Sequence, residues 1–427
     1  MKISDIVYKS FGEVATMPRF DFERKVQKQR RPLTLLAWAL AFPEVRKRKA
    51  QIFKHNMEPL KKEPYILLCN HNAFYDFKVA TKAIYPRRAT YIVAIDGFIG
   101  REKLMREVGC YGKRKFINDI GLVKQIKHSL NVLKHVTMIY PEARYSHVGT
   151  TSVMPDSTGK LVKLLKVPVA TLICHGHHLS APVWNLKPRK VHTTADMTYI
   201  ITKEEAETLS VEEINKRINE AFVYDDYAWQ KANNIHVTEE FRAEGLHKVL
   251  YKCPHCLSEG KMATKGNVIS CTVCNKGYEM DTLGAIKALE GESIFTHIPT
   301  WYEWQRDEVR KEILNGTYKF EFEVDIDSLP SSKGFYRIGK GVLTHDEQGF
   351  VVKGKSHNGE EFSFSKTPLE NYSIHVEYNY FGRGDGISFS YPQDTFYMFS
   401  HDPNYLVTKA HFAVEELYKI KHAELKK

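Results

Sequence analysis

The sequence predicts an α/β fold: a layered domain on a mainly parallel sheet, then a cysteine-held ribbon, then a small antiparallel β-domain ending in a helix. Three observations carry this. Between residues 64 and 200 short β-rich runs alternate with longer helix-favouring segments, the pattern of a parallel sheet covered by helices. Two C-x-x-C pairs lie between residues 251 and 278. From residue 319 to 400 the chain is rich in Phe, Tyr, Val and Ile and is broken by Gly/Asp turns such as HDEQGF and GRGDG. At 427 residues, 43% hydrophobic and 26% charged, the chain is ample for several cores of ordinary globular composition.

Residues 1–62 form a basic N-terminal region. Its apolar run, residues 32–43 (PLTLLAWALAFP), is shorter than the roughly 20 residues a spanning helix needs. Arg24, Lys25, Lys28, Arg30 and Arg31 precede it, and RKRK at 46–49 follows it. Apolar residues between cations suit a segment lying in the headgroup layer of an anionic membrane; the alternative is an amphipathic helix packed on the protein's own core. MKISDIVYKSFGEV lacks the basic stretch and apolar core of a secretory signal. The expected place is therefore cytoplasmic, peripheral on the inner face of the membrane. A net charge of +11 favours anionic partners without choosing among them.

Residues 63–245 are expected to be the α/β domain. Strands are predicted at 65–69, 90–95, 136–140 and 167–173, and helices at 74–83, 100–108, 121–133 and 157–165, with a charged helical segment at 204–222. Residues 246–290 are the expected ribbon and 300–427 the expected β-domain, entered by a short helix at 301–314. Val407, Ala410, Val414 and Leu417 share one face of its final helix. Strands followed by a helix give this last domain a faint similarity to pleckstrin-homology-like domains. Lys353 and Lys355 suit a solvated strand face there better than a lipid-phosphate contact.

The chemistry centres on Asn70 to Asp76, NHNAFYD, directly after the strand YILLC. Five helical residues turn the chain by about 500°, so His71 and Asp76 would face apart on one regular helix. His71 must sit in the preceding turn, its ring folded back toward Asp76 at the carboxyl end of the strand, where α/β ligands bind. Such a pair suits proton removal from an alcohol: the aspartate fixes the imidazole tautomer and the free nitrogen takes the proton. A second strand ends in Pro141-Glu142-Ala143-Arg144. Glu142 could accept a hydroxyl hydrogen bond and Arg144 bind a phosphate, or the two could form a salt bridge. Lys113, Arg114 and Lys115, after a glycine-containing turn, read as a phosphate cradle or as a solvated basic loop.

Together these blocks resemble the glycerolipid acyltransferase family, which includes lysophosphatidic acid acyltransferases. The resemblance rests on Asn70, His71 and Asp76, then Pro141, Glu142, Ala143 and Arg144, then Val167, Pro168 and Val169, in the family's order and spacing, and extends over residues 40–220. Ala143 stands where the family has glycine, and GCYGKRKF departs from the family's second block. The resemblance implies acyl transfer from acyl-CoA or acyl carrier protein to the free hydroxyl of 1-acylglycerol 3-phosphate or a similar lysophospholipid. His71 would be the general base, Asp76 its orienting partner, and Lys113, Arg114, Lys115, Glu142 and Arg144 would bind substrate.

Cys253 and Cys256, followed after fourteen residues by Cys271 and Cys274, have the spacing of a structural zinc ribbon with all four positions filled by thiolate. Ribbons also occur in nucleic-acid binders, but LSEGKMATKGNVIS holds two lysines and no aromatic residue, a poor stacking platform, so no nucleic acid is expected. Two rival functions stay open. One is a zinc-ribbon nucleic-acid-binding protein with an inactive α/β domain. The other is an acyltransferase whose acceptor carries no phosphate.

Overall fold

A computed structural model describes residues 2–117 and 119–425. The chain opens with a two-residue strand, β1 (Val7–Tyr8), and enters the α/β domain at β2 (Gln51–His55). That domain continues through β3 (Ile66–Cys69), β4 (Ala89–Ala94), β5 (Cys110–Lys113), β6 (Val136–Ile139), β7 (Val169–His175) and β8 (Thr194–Ile201). The sheet order is β2-β8-β7-β3-β6-β4-β5. β7, β3, β6, β4 and β5 are parallel, and β8 runs antiparallel to β7 with β2 parallel to it. β3 is buried at all four positions, as a central parallel strand covered on both faces should be. Its two faces feed separate cores, one holding Leu67, Cys69, Val79 and Met138, the other Ile66, Leu68, Ile126 and Val162.

The helix predicted at 74–83 starts two residues later, at Asp76–Ile84, because residues 72–75 form the turn that His71 requires. The helix predicted at 121–133 is α-helical only at Ile120–His128 and closes with a π-turn at Ser129–Leu133, where the Ser129 hydroxyl bonds Thr90 and Thr137. The apolar run at 32–43 lies within a longer helix, Arg31–Lys47, with Pro32 at its start. One side buries Thr34, Ala41 and Val45, while Leu35, Leu36, Leu40 and Phe42 remain exposed. Lys78 pairs with Glu44 across to helix Asp76–Ile84, and Trp38 stacks on Tyr85 at 5.1 Å. Among the described residues no helix is long and apolar enough to cross a membrane.

A four-stranded antiparallel ribbon follows: β9 (Met262–Lys265), β10 (Val268–Cys271), β11 (Gly277–Met280) and β12 (Ile286–Ala288). Helix Ile298–Leu314 seals it with the fully buried Trp301, which meets Tyr278 edge-on at 5.2 Å and donates its indole N–H to the Lys252 carbonyl.

The antiparallel β-domain comprises β13 (Phe320–Ser328), β14 (Tyr336–Asp346), β15 (Gly349–Ser356), β16 (Glu361–Lys366), β17 (His375–Glu377), β18 (Asp385–Ser390) and β19 (Thr395–Ser400). A four-strand meander and a three-strand meander join through β13 and β19. The closing helix, Val407–Glu424, lies beside helix Ile298–Leu314. Two findings revise the sequence outline. Residues 7–20, grouped with the basic N-terminal region, instead lie on the β-domain: β1 pairs with β14, and Phe11 stacks on Phe362 at 5.0 Å. The β-domain is also fused to the α/β domain, since Leu329, Phe335, Tyr397 and Phe399 share one core with Cys69 and Val79.

Candidate active site

The turn after β3 is fixed before it carries chemistry. The Asn70 amide donates to the Cys174 carbonyl and accepts from the Cys174 N–H, at 2.9 and 2.8 Å, tying the end of β3 to β7. The next residue, His71, therefore projects from the carboxyl end of the parallel sheet. Its Nδ1 lies 3.1 Å from Asp76 Oδ2, and its ring rests between Tyr140 and Tyr145, with centroids 4.3 and 4.2 Å away. The side chain is 21% exposed, and Nε2 meets no hydrogen-bonding partner among the described residues. One ring nitrogen is held and the other is free to take a proton.

Asp76 is 1% exposed and fully engaged. Oδ2 also accepts from the backbone N–H groups of Asn72 and Ala73, at 2.6 and 3.0 Å, so the turn's own amides hold it. Oδ1 lies 2.5 Å from His177 Nδ1. Burial opposes its charge, but the bonds from His177 and His71 prevail and hold the carboxyl down to about 2. His177 was not singled out from the sequence. The one available signal was its place just past β7, in HGHH, at the same sheet edge as His71.

Glu142 departs from the expected role. It is buried, and it accepts from the N–H groups of His71 and Ser152, at 3.0 and 2.9 Å, and from the Tyr224 hydroxyl at 3.2 Å. It fastens the His71 turn to the loop after β6 and has no face open to a substrate hydroxyl. Burial pushes it up to about 7. Ala143 takes φ +56°, the left-handed conformation that glycine adopts freely, so the turn keeps its shape at a cost of roughly 1 kcal/mol.

The expected phosphate ligands are mostly engaged by protein. Arg144 is 5% exposed, and its Nη2 donates to Glu415 on the final helix at 3.3 Å. Arg114 is buried and donates to the carbonyls of Leu329, Pro330 and Gln393 and to the Thr395 hydroxyl, at 2.8 to 3.0 Å. Neither expected phosphate contact is what the structure shows: β5 is the sheet edge against which the β-domain docks, so Arg114 beside it crosslinks the domains, while Arg144, in the loop after β6, is tied to the closing helix. Lys115 Nζ lies 2.8 Å from His375 Nε2. Lys113 alone of the five shows no hydrogen bond or ion pair among the described residues. It lines a crevice with Asp96, Ser388, Ser390 and Tyr397, and burial lowers its ammonium's proton affinity.

Cys253 and Cys274 bring their sulfurs to 3.7 Å, and Cys256 and Cys271 to 3.6 Å. Four thiolates about 2.3 Å from one tetrahedral ion stand roughly 3.8 Å apart, so this group fits zinc. Asp76, Cys174 and His177 are also clustered. There the 2.5 Å contact between nitrogen and oxygen is already a hydrogen bond and is too short to bridge an ion.

The acyltransferase family model matches residues 51–175. Among solved structures the chain is similar to the 1-acyl-sn-glycerophosphate (LPA) acyltransferase PlsC from Thermotoga maritima, at 14% identity and a TM-score of 0.33, over 44% of this chain and 76% of that one. No curated protein sequence matches. Residues 51–175, which carry His71, Asp76 and Glu142 at the carboxyl end of the parallel sheet, belong to the acyltransferase family.

Proposed function

We propose that the protein moves an acyl group from a thioester donor, acyl-CoA or acyl carrier protein, to the free hydroxyl of 1-acylglycerol 3-phosphate or a similar lysophospholipid. The observation that carries this is the His71–Asp76 pair at the end of β3, inside a domain of acyltransferase family. His71 Nε2 takes the hydroxyl proton as the acceptor oxygen attacks the thioester carbonyl. The C–S bond then breaks, and the imidazolium returns the proton to the departing thiolate. Asp76 holds Nδ1–H throughout and stabilises the transient cation.

A membrane-surface setting is supported by the exposed Leu35, Leu36, Leu40 and Phe42 on a helix with Arg30, Arg31, Arg46, Lys47 and Arg48 at its ends. Phe74, in the catalytic turn itself, is exposed as well. On this reading the protein sits peripherally on the inner face of the membrane, and zinc at the four cysteines is structural. A second reading, an acceptor without phosphate, is favoured by one observation: Arg114 and Arg144 already spend their guanidinium groups on protein partners.

The test is an acyl-transfer assay with acyl-CoA and acyl carrier protein donors, offering lysophosphatidic acid against a monoacylglycerol. His71→Ala should lose on the order of 100-fold or more, and Asp76→Asn should fall with it. Wild-type turnover by His71→Ala would end the assignment. Preference for the monoacylglycerol would select the second reading.

A further inference from the structure

We infer that His177 is a positioning residue for acyl transfer: by donating Nδ1–H to Asp76 Oδ1 it turns the other carboxylate oxygen toward His71 and limits how tightly that base holds its proton. The inference rests on the proposed role of His71. The structure supplies three reasons for it. Among the described residues Oδ1 has no other donor, whereas Oδ2 has three, so the turn's amides and His71 hold one oxygen and His177 holds the other. His177 is fully buried, its Nε2 is without a partner among the described residues, and Nδ1 is therefore the nitrogen that donates to the acceptor-only carboxylate. The ring is braced by Tyr75, 4.6 Å between centroids, and its helix is anchored by Asp226, which accepts from the N–H groups of Gly176 and His178.

A carboxylate shared by two imidazoles divides its negative charge between them. With His177 present, less of that charge falls on the His71 N–H, and the imidazolium formed during catalysis releases its proton more readily to the thiolate. Removing the donor should concentrate the charge on His71 and make its cation persist to higher pH.

The other ionisable groups against this unit do not reproduce that effect. Cys69 and Cys174 are buried thiols pushed well up, and Tyr75 is raised to about 12 by burial, so all three stay neutral through the working range. Tyr140, Tyr145 and Tyr224 are raised further by the same cause. Burial lowers His175. Glu142 and Asp226, pushed up by burial to about 7 and about 8, do titrate there, but they are common to every variant and cancel in the comparison.

The experiment is the pH profile of kcat/KM for the full-length wild type, His177→Leu and His177→Asn. Leucine fills the space without a donor; the asparagine amide nitrogen falls where Nδ1 was. The acidic limb of His177→Leu should move up by about 1 pH unit, a loss of about tenfold on that limb beyond any fall in the plateau. His177→Asn should restore the limb. Where the leucine variant does not fold, His177→Gln replaces it, because its donor lies too far out to meet Oδ1, and it should show the same displacement. A limb that coincides with wild type while only the plateau falls makes His177 merely structural and overturns the inference. Turnover retained in His71→Ala overturns both this and the base assignment; turnover lost in His71→Ala with no limb shift overturns this alone.

Discussion

Replacing Glu415 should loosen the whole molecule from a point beside the loop after β6. The side chain is fully buried on helix Val407–Glu424 and accepts from Arg306 at 2.6 Å, Ser373 at 2.7 Å and Arg144 at 3.3 Å. The two guanidinium groups are only 12% and 5% exposed. Glu415→Ala strands both cations in a dry interface, and breaking a buried pair from one side costs about 3 to 5 kcal/mol. Glu415→Gln keeps volume and one acceptor oxygen but loses the charge and the second acceptor, and should cost about 1.5 to 3 kcal/mol. Burial opposes the charge of Glu415, yet Arg306 and Arg144 leave it below the usual carboxylate value. A depressed carboxyl stabilises the fold above its unfolded value and loses that contribution as pH falls through the folded one. Wild type should therefore lose part of its stability below the normal carboxylate range, and Glu415→Gln should not show that component. The assay is urea unfolding followed by tryptophan fluorescence and far-ultraviolet circular dichroism, with Arg144→Ala completing a double-mutant cycle. An unchanged midpoint for Glu415→Ala, or a coupling to Arg144 near zero, would refute the reasoning.

Glu142 gives the opposite pH signature: its folded value of about 7 lies above the ordinary 4.5, so its contribution is greatest below 4.5 and falls as pH rises toward 7, by about 3 kcal/mol. Melting temperature against pH should flatten across that window in Glu142→Gln, and parallel curves would count against it. Purified protein should carry one zinc per chain by elemental analysis. Chelation or Cys256→Ser should remove it and lower the melting temperature, because the ribbon packs on Trp301. Leu36→Asp with Leu40→Asp should weaken sedimentation with anionic vesicles several-fold while sparing turnover on a detergent-dispersed acceptor; equal sedimentation would remove the helix from the membrane face.

The mainly parallel sheet, the cysteine group and the antiparallel domain with its final helix were legible because each has a local signature. Strand β3 reads as ILLC bounded by turn residues, and helix Ser157–Leu165 falls where the sequence places it. Strands β2 and β5 were not legible: QIFKH is mostly exposed at one sheet edge, and CYGK at the other edge has a glycine and no apolar run. The fold-back of His71 onto Asp76 followed from helix geometry alone. His177 did not, since it lies 101 residues from Asp76 and meets it only because β7 neighbours β3. The partners of Arg114 and Arg144 were not legible, because charge marks a residue as polar without saying what it meets. Here the partners come from the other end of the chain, at Pro330, Thr395 and Glu415.

The pairing of Val7 with Tyr336 across the polypeptide sets an order of events during synthesis. Val7 cannot find its neighbour until more than three hundred residues have followed it from the ribosome, and Arg144 must wait for Glu415. The parallel sheet can assemble while translation continues, but the loop after β6 stays unanchored at Arg144 until helix Val407–Glu424 emerges. Nascent chains stalled before the β-domain should expose the docking edge of β5, the stage at which this protein would depend most on chaperones.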